Sequence, residues 1–240
     1  AKGGGHRWFR LRGQAIWDEQ GNPRRMSGSC KDVTERKTRE MLIAAENDLL
    51  NMIATEAPLP AILTTMCSAL EACVSESLCS ILLLDRDGIH LRHGAGPGLP
   101  EAYVQAIDGV AIGPTVGSCG TAAATKQRII VSDIATDLLW EDYRELALSH
   151  GLQACWSTPI FAATGAVLGT FAVYHRRSRH PRAVDLERVD RASHLASIAI
   201  ERVRAVDKLR LTQFSIDHAT DALYWIDQQA HIVDVNQAAC

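Results

Sequence analysis

The chain has 240 residues, a formal net charge of −3, 47% hydrophobic residues and 22% charged ones. That is enough apolar material for a packed core and excludes a disordered chain; the near-neutral charge gives no basic stripe for nucleic acid. With no run of about 18 apolar residues and no signal-peptide pattern, a soluble, cytoplasmic segment without a membrane span is expected. The seven cysteines (30, 67, 73, 79, 119, 155 and 240) form neither CxxC pairs nor metal spacing with histidine, and read as reduced thiols. The chain opens on Ala1 and stops at Cys240 inside a half-finished strand pattern, so a piece of a longer protein is expected.

Residues 6–33 (HRWFRLRGQAIWDEQGNPRRMSGSCKDV) predict a β-hairpin turning at DEQGNP. A two-stranded hairpin is marginal alone, so partner strands are expected elsewhere. A helix follows, with Thr34 as N-cap. Its Leu42, Leu49 and Met52 or Ile53 recur near heptad spacing, which suits pairing with a second copy. Pro58 and Pro60 break it before a second helix bearing Ile62, Leu63, Met66 and Leu70 on one face.

The middle of the chain alternates strands and helices. SLCSILLLD (77–85) and IHLRHGAG are strands around the turn DRDG, and LPEAYVQAID is a short helix. After the loop VAIGPTVGS, CGTAAATK is a small-residue helix and RIIVSDI a strand. LWEDYRELALSHG is an amphipathic helix stopped by Gly151; ACWSTPIFA and AVLGTFAVYH pair across a TG turn. From 185 to 211 the period is helical, with Leu186, Val189, Ala192, Leu195 or Ala196, Ala199, Val203 and Val206 on one stripe. Two strands, LYWID and HIVDV, then flank a QQ turn.

Cys119 sits between glycines at a helix start, where the helix dipole favours a thiolate. Two readings stand side by side: a redox or ligand-contacting thiol, or a small buried side chain that lets the AAA helix pack on the sheet. Ser118 and Thr121 read as capping groups. Asp133, Trp140 and Tyr143 lie in SDIATDLLWEDY and Trp156 in the strand that follows. Aromatics with a carboxylate suit a small polar or cationic ligand, and Trp140 and Trp156 equally suit a closed core. Arg144 is placed to pair with Glu141 or Glu145. His194 precedes Leu195-Ala196-Ser197 rather than an acidic residue and is not read as a phosphoacceptor.

CSILLLDRDG, LRHGAGPGLPEAY, IGPTVGSCGTAA, VSDIATDLLWEDYRELALSHGLQACWSTPI and VLGTFAVYH together resemble a GAF sensor domain, over residues 50–203. Residues 1–36, ending in Asp32-Val33-Thr34, resemble the closing strands of a PAS domain. Residues 212–240, with Asn236 in a V-N-x-A setting, resemble the opening of another; 37–49 and 204–211 are then linker helices. The resemblance implies an α+β fold: a central antiparallel sheet with helices packed on it, long flanking signalling helices and partial PAS hairpins at both ends. It implies a non-catalytic PAS–GAF–PAS transmission segment of a bacterial sensor histidine kinase or cyclic-di-GMP protein, homodimeric through its helices, with the output domain outside these residues. No cofactor is evident. An unidentified small molecule is expected in a pocket bounded by residues 77–85, 110–121, 139–150 and 154–160, with Cys119, Gly120, Thr121, Asp133, Trp140, Tyr143, Cys155 and Trp156 as ligand-binding residues. The alternative is similarity to free methionine-(R)-sulfoxide reductases, which implies catalysis by Cys119 and Cys155. Haem would need His90 or His93 in the pocket, and the bilin and cyclic-nucleotide patterns are absent.

Overall fold

A computed structural model describes residues 7–74, 76–227, 229 and 231–240. It divides into two compact units, one ending at Ser197 and one beginning at Ile198.

The first unit opens on the hairpin of β1 (Phe9–Trp17) and β2 (Pro23–Asp32), in register from Phe9↔Asp32. The Asp18 carboxylate closes its turn by accepting the Gln20 and Asn22 amides at 3.0 and 2.8 Å. Nearly every position on both strands is exposed, and the pair forms a sheet of its own. Helix α1 (Thr34–Ala54) follows, and Thr34 is its first residue rather than its cap. The Thr34 hydroxyl is engaged elsewhere, accepting the Trp8 amide at 2.8 Å. Leu49 and Ile53, expected to face a second copy, are buried within this chain, so they are not available for pairing. Pro58 and Pro60 do more than end α1: fixed φ and a missing N–H suit a helix's first turn, and they open α2 (Leu59–Cys73). Its Ile62, Leu63, Met66 and Leu70 are buried as patterned.

The centre is an antiparallel sheet of six strands in the order β5-β4-β3-β8-β7-β6. The strands are β3 (Ser77–Leu84), β4 (His90–Ala95), β5 (Val110–Ala111), β6 (Ile129–Val131), β7 (Ala154–Phe161) and β8 (Val167–His175). Strands covered on both faces read as continuous apolar runs, and β3, β7 and β8 do. Strand pairing sorts their side chains, because alternate residues point to opposite faces. Cys155, Ser157, Thr170, Ala172, Tyr174, Ser80 and Leu82 share one face; Trp156, Phe171, Val173, His175, Cys79 and Ile81 share the other.

Over the first face lie α3 (Glu101–Ile107), α4 (Gly117–Thr125), a 3₁₀ turn at Leu138–Trp140 and α5 (Arg144–Ser149). The single helix expected over 139–150 is thus broken. The Asp137 carboxylate caps the 3₁₀ turn by accepting the Leu139 amide at 2.9 Å. The Arg144 guanidinium donates to the carbonyls of Ile134 and Asp137 at 3.3 and 3.0 Å instead of pairing with Glu141 or Glu145. Gly151, at φ +72°, ends α5.

Helix α6 (Ala183–Asp217) is longer than its sequence stripe, and the division between the units falls inside it. In the first unit Ser197 Oγ donates to the Phe161 carbonyl at 2.6 Å and Arg188 to that of Cys73 at 3.3 Å, fastening the start of α6 to β7 and α2. The second unit pairs β9 (Tyr224–Ile226) with β10 (Ile232–Val235) antiparallel; of the expected QQ turn, Gln228 lies outside the described residues. Buried Asn236 ties this unit together. Its Oδ1 accepts the Leu223 amide at 2.8 Å, and its Nδ2 donates to the Ile216 and Asp221 carbonyls at 3.0 and 2.9 Å.

Candidate functional site

The turn into α4 explains two of its glycines. Gly117 has φ +52°, a left-handed conformation that costs other residues about 1–2 kcal/mol. A Cβ on Gly120 would stand 2.7 Å from Val116 Cβ and 3.3 Å from the Ala111 carbonyl oxygen. Thr121, buried, accepts the Val116 amide at 3.1 Å and so braces the turn. Ser118 does not cap α4. It donates to the Cys155 carbonyl at 3.2 Å and accepts the Trp140 indole N–H at 3.0 Å, so one hydroxyl joins α4, β7 and the 3₁₀ turn.

Between this helix and the sheet is a cavity of about 40 Å³, walled by Leu82, Leu91, Ile107, Val116 and Trp140 and closed by Tyr103, Tyr143, Tyr174 and Cys119. The Tyr103 and Tyr174 rings meet edge to face at 5.8 Å. No Asp, Glu, Lys, Arg or His is among the described residues that line it. The walls are apolar and the polar groups are hydroxyls and a thiol, with no basic side chain among them, so desolvation disfavours an anionic occupant. A single water needs about 10–15 Å³ by the same measure, so the space suits a molecule of a few heavy atoms.

Of the eight residues expected to bind ligand, Cys119, Gly120, Trp140 and Tyr143 line the cavity. Cys155 lies beside it, fully buried on the cavity face of β7. Thr121 is spent on the turn. Asp133 faces its own loop, where the carboxylate accepts the Ala135 amide at 3.1 Å. Trp156 lies on the opposite face of β7, 4.3 Å from the His175 ring and 5.5 Å below the Arg179 guanidinium, because each residue along a strand reverses side. His90 is held by Asp87 and His93 is exposed, and neither lines the cavity.

Sequence reading missed the floor. Cys119 Sγ lies 3.9 Å from Tyr174 Oη, and Tyr174 is the cross-strand neighbour of Cys155. Around them the hydroxyls of Ser80, Ser157 and Thr170, on fully buried residues, have no hydrogen-bond partner among the described residues. Hydrogen bonding from Cys155 holds the Cys119 thiol below its ordinary pKa against the opposing cost of burial, and the Ser157, Thr170 and Tyr174 hydroxyls favour the thiolate further. Burial raises the Cys155 thiol, and the neighbouring Cys119 charge raises it again. The pair therefore gives up one proton readily, from Cys119, and holds the other. A signal for this lay in the sequence: polar residues at alternate positions of otherwise apolar strands, in C-S-I-L, C-W-S-T and G-T-F-A.

Residues 56–201 match the family model described as GAF domain. The chain belongs to the GAF domain family. It is 38% identical over 242 residues to the methyl sulfide methyltransferase-associated sensor of Methanosarcina acetivorans, a match that covers 99% of this chain. The chain spans only 24% of that relative's length. Among solved structures it is similar to the GAF domain of a phosphoenolpyruvate-protein phosphotransferase from Coxiella burnetii (TM-score 0.56, 19% identity, 70% of this chain and 98% of that one). It is also similar to free methionine-R-sulfoxide reductase from Neisseria meningitidis in complex with its substrate (TM-score 0.55, 18% identity, 70% and 91%). These two likenesses concern the fold. The reductase reading is not favoured: an amino acid carries both charges, and this small GAF cavity has no Lys, Arg or His in its lining to receive a carboxylate. No helix among the described residues is long and apolar enough to cross a membrane.

Proposed function

We propose that the chain is a sensing and transmission segment of a larger signalling protein, not itself an enzyme, whose GAF cavity takes a small uncharged molecule. The observation that carries this reading is the cavity under α4, apolar-walled with hydroxyl and thiol groups at its base and no Asp, Glu, Lys, Arg or His in its lining. A ligand shifts a conformational equilibrium only by its differential affinity for the two states, and couplings of this kind are about 1–3 kcal/mol. Occupancy that repositions α4 reaches β7 through the Ser118–Cys155 bond, and Ser197 fastens α6 to the end of β7. The helices then carry the bias to an output module, a histidine kinase or a cyclic-di-GMP enzyme, outside these residues. The hairpins at residues 9–32 and 224–235 belong in this reading to neighbouring PAS modules. Asp32-Val33-Thr34 at the end of one and the buried, triply bonded Asn236 in the other support that assignment. The exposed Ile43 and Leu50 of α1, seven residues apart and so on one side of the helix, supply a face for homodimerisation.

The relative's name associates it with a methyl sulfide methyltransferase, and a methyl sulfide is small and uncharged. Dimethyl sulfide is therefore the first probe. Native mass spectrometry of the purified chain beside its denatured mass reports any molecule already held. Titration with dimethyl sulfide and with acetate, a charged molecule of similar size, under nuclear magnetic resonance follows. Shifts at Tyr103, Trp140 and Tyr174 with the uncharged probe alone are expected; equal response to both, or shifts elsewhere only, overturns the reading.

A further inference from the structure

A second hollow opens on the far side of the sheet, and the sensing role leaves it unused. It is a cleft of about 340 Å³ between the end of α4, the edge formed by β6 and β7, and α6 within the first unit. Thr158 of its lining marks the face: it pairs with Phe171 across β7 and β8, on the side away from Cys155. Lys126 enters from the end of α4, at φ +58°. Glycine is the usual residue at such a left-handed helix end, so the backbone gives no reason for a lysine there. Its side chain is exposed, and no carboxylate pairs with it among the described residues. Arg128 is held in place: its Nε donates to Thr158 Oγ1 at 3.0 Å and its Nη2 to the Asp190 carboxylate. Nη1 stays without a partner among the described residues. Ser193 of α6 is 7% exposed, and its Oγ, in the lining of the cleft, is satisfied by no described residue. His194 beside it is exposed and likewise unpaired among the described residues.

We propose that this cleft is a second ligand site, for a phosphoryl dianion: free phosphate or the head of a small phosphomonoester. The unspent groups carry the choice. They are an ammonium, one arm of a guanidinium, an imidazole and a buried hydroxyl, all able to donate. That set exceeds what the two oxygens of a carboxylate take up and suits the three terminal oxygens of a phosphoryl group. The Asp190 carboxylate lines the same cleft and repels an anion, but it is bonded to Arg128, and the Lys126 charge remains uncompensated. A buried hydroxyl without a partner is a cost to the fold, and a bound phosphoryl oxygen gives Ser193 the acceptor it lacks. Pro159 and the 38% exposed Phe161 form an apolar side on which an ester's carbon body can lie. The volume of about 340 Å³ is at the lower end of the roughly 300–1,000 Å³ typical of small-molecule sites. Position gives the site a consequence. Lys126 and Arg128 belong to the connection from α4 to β6, whereas Asp190, Ser193 and His194 belong to α6. An anion held from both sides clamps the signalling helix to the edge of the sheet. Helix α4 also joins the two hollows, since its first turn lines the sensing cavity and its last residue adjoins Lys126.

The test titrates the full chain with sodium phosphate, phenyl phosphate and benzoate at constant ionic strength under nuclear magnetic resonance. Shifts at Lys126, Arg128, Ser193 and His194 are expected with both phosphates and not with benzoate. Tighter binding of phenyl phosphate, with shifts at Phe161, assigns the site to a phosphomonoester; equal affinity assigns it to free phosphate. Lys126→Gly removes the charge and relieves the left-handed backbone, so its thermal midpoint does not fall while phosphate binding weakens by about tenfold or more. Loss of binding in that variant is therefore not loss of fold. In the parent chain phosphate raises the thermal midpoint, because a ligand of the folded state stabilises it. The proposal is overturned where neither phosphate moves these residues at millimolar concentration, where benzoate moves them as strongly, or where Lys126→Gly binds phosphate as the parent does. It goes beyond the reading of the sensing cavity and does not rest on it. The dimethyl sulfide titration is run without phosphate and reads Tyr103, Trp140 and Tyr174, so failure at either site leaves the other standing.

Discussion

Ser118→Ala tests the link between helix, sheet and loop on which the cavity depends. In the native chain the Trp140 indole N–H donates to Ser118 Oγ at 3.0 Å and Ser118 donates to the Cys155 carbonyl at 3.2 Å. Trp140 is 4% exposed and Ser118 1%, so no bulk water replaces a lost partner. Removing the hydroxyl strands one buried indole donor and one carbonyl lone pair. A buried group left unsatisfied costs about 1–3 kcal/mol, and the donor dominates because the carbonyl has a second lone pair to use. Trp140→Phe removes the donor itself and part of a ring, also costing about 1–3 kcal/mol. In the double variant no donor is left stranded, so the two costs do not add; a coupling of about 1–2 kcal/mol is expected. Urea unfolding followed by far-ultraviolet circular dichroism measures each midpoint, with the slope checked for constancy. Additivity within about 0.5 kcal/mol, or a Ser118→Ala chain as stable as the parent, refutes the reasoning.

Three further outcomes follow from the same geometry. Burial, with Arg179 adding to it, lowers the His175 pKa from 6.5 to about 4, so between those values the folded chain binds fewer protons than the unfolded one. The stability it carries is complete above about pH 6.5 and is lost as pH falls through about 4, by up to about 3 kcal/mol; His175→Phe flattens that part of a pH–stability curve. Gly117→Ala meets nothing closer than the Trp140 ring at 3.9 Å and costs the left-handed penalty of about 1–2 kcal/mol. Gly120→Ala drives a Cβ to 2.7 Å from Val116 and adds overpacking of about 1–3 kcal/mol, and thermal unfolding of the two variants separates these costs. Tyr174→Phe removes one hydroxyl that favours the Cys119 thiolate, so the midpoint of its pH-dependent alkylation, read by peptide mapping, moves up.

Five of the six strands were legible because they carry apolar residues between clear turn residues, and β3, β7 and β8 form where the longest apolar runs lie; β5 falls within VAIGPTVGS, expected as a loop, and pairs with β4 instead. Half of the expected ligand residues line the cavity for a related reason: V-G-S-C-G marks a tight helix entry, and the start of α4 packed over the sheet leaves a hollow beneath it. What the sequence hid was direction. Trp156 and Cys155 are neighbours in the chain and lie on opposite faces of β7, a distinction that depends on register and not on composition. The break at residues 141–143 was hidden for another reason. An amphipathic period is a weak preference, and the Asp137 and Arg144 side chains supply hydrogen bonds that override it. Tyr103 and Tyr174 come from distant parts of the chain and become cavity groups only once β8 pairs with β3 and β7.

The two readings of Cys119, packing or chemistry, can now be weighed on energy. Gly117 and Gly120 account for the turn, and buried Ala122 and Ala123 for the close approach of α4 to the sheet. None of these requires a thiol at position 119, where alanine would fill the space as a helix residue of higher propensity. The floor beneath does require explanation. Ser80, Ser157 and Thr170 are fully buried with hydroxyls that no described residue satisfies, and each such group costs about 1–3 kcal/mol. Three together amount to a large fraction of the roughly 5–15 kcal/mol by which a domain is stable. Apolar residues of similar size would remove that cost at each position. A Cys119 thiolate offsets part of it at Ser157 and Thr170, whose hydroxyls favour the charged form, since a hydrogen bond to a charge is stronger than a neutral one. The hydroxyl floor and the thiol at the helix entry are thus two halves of one feature: the floor is costly without the charge, and the charge is costly without the floor.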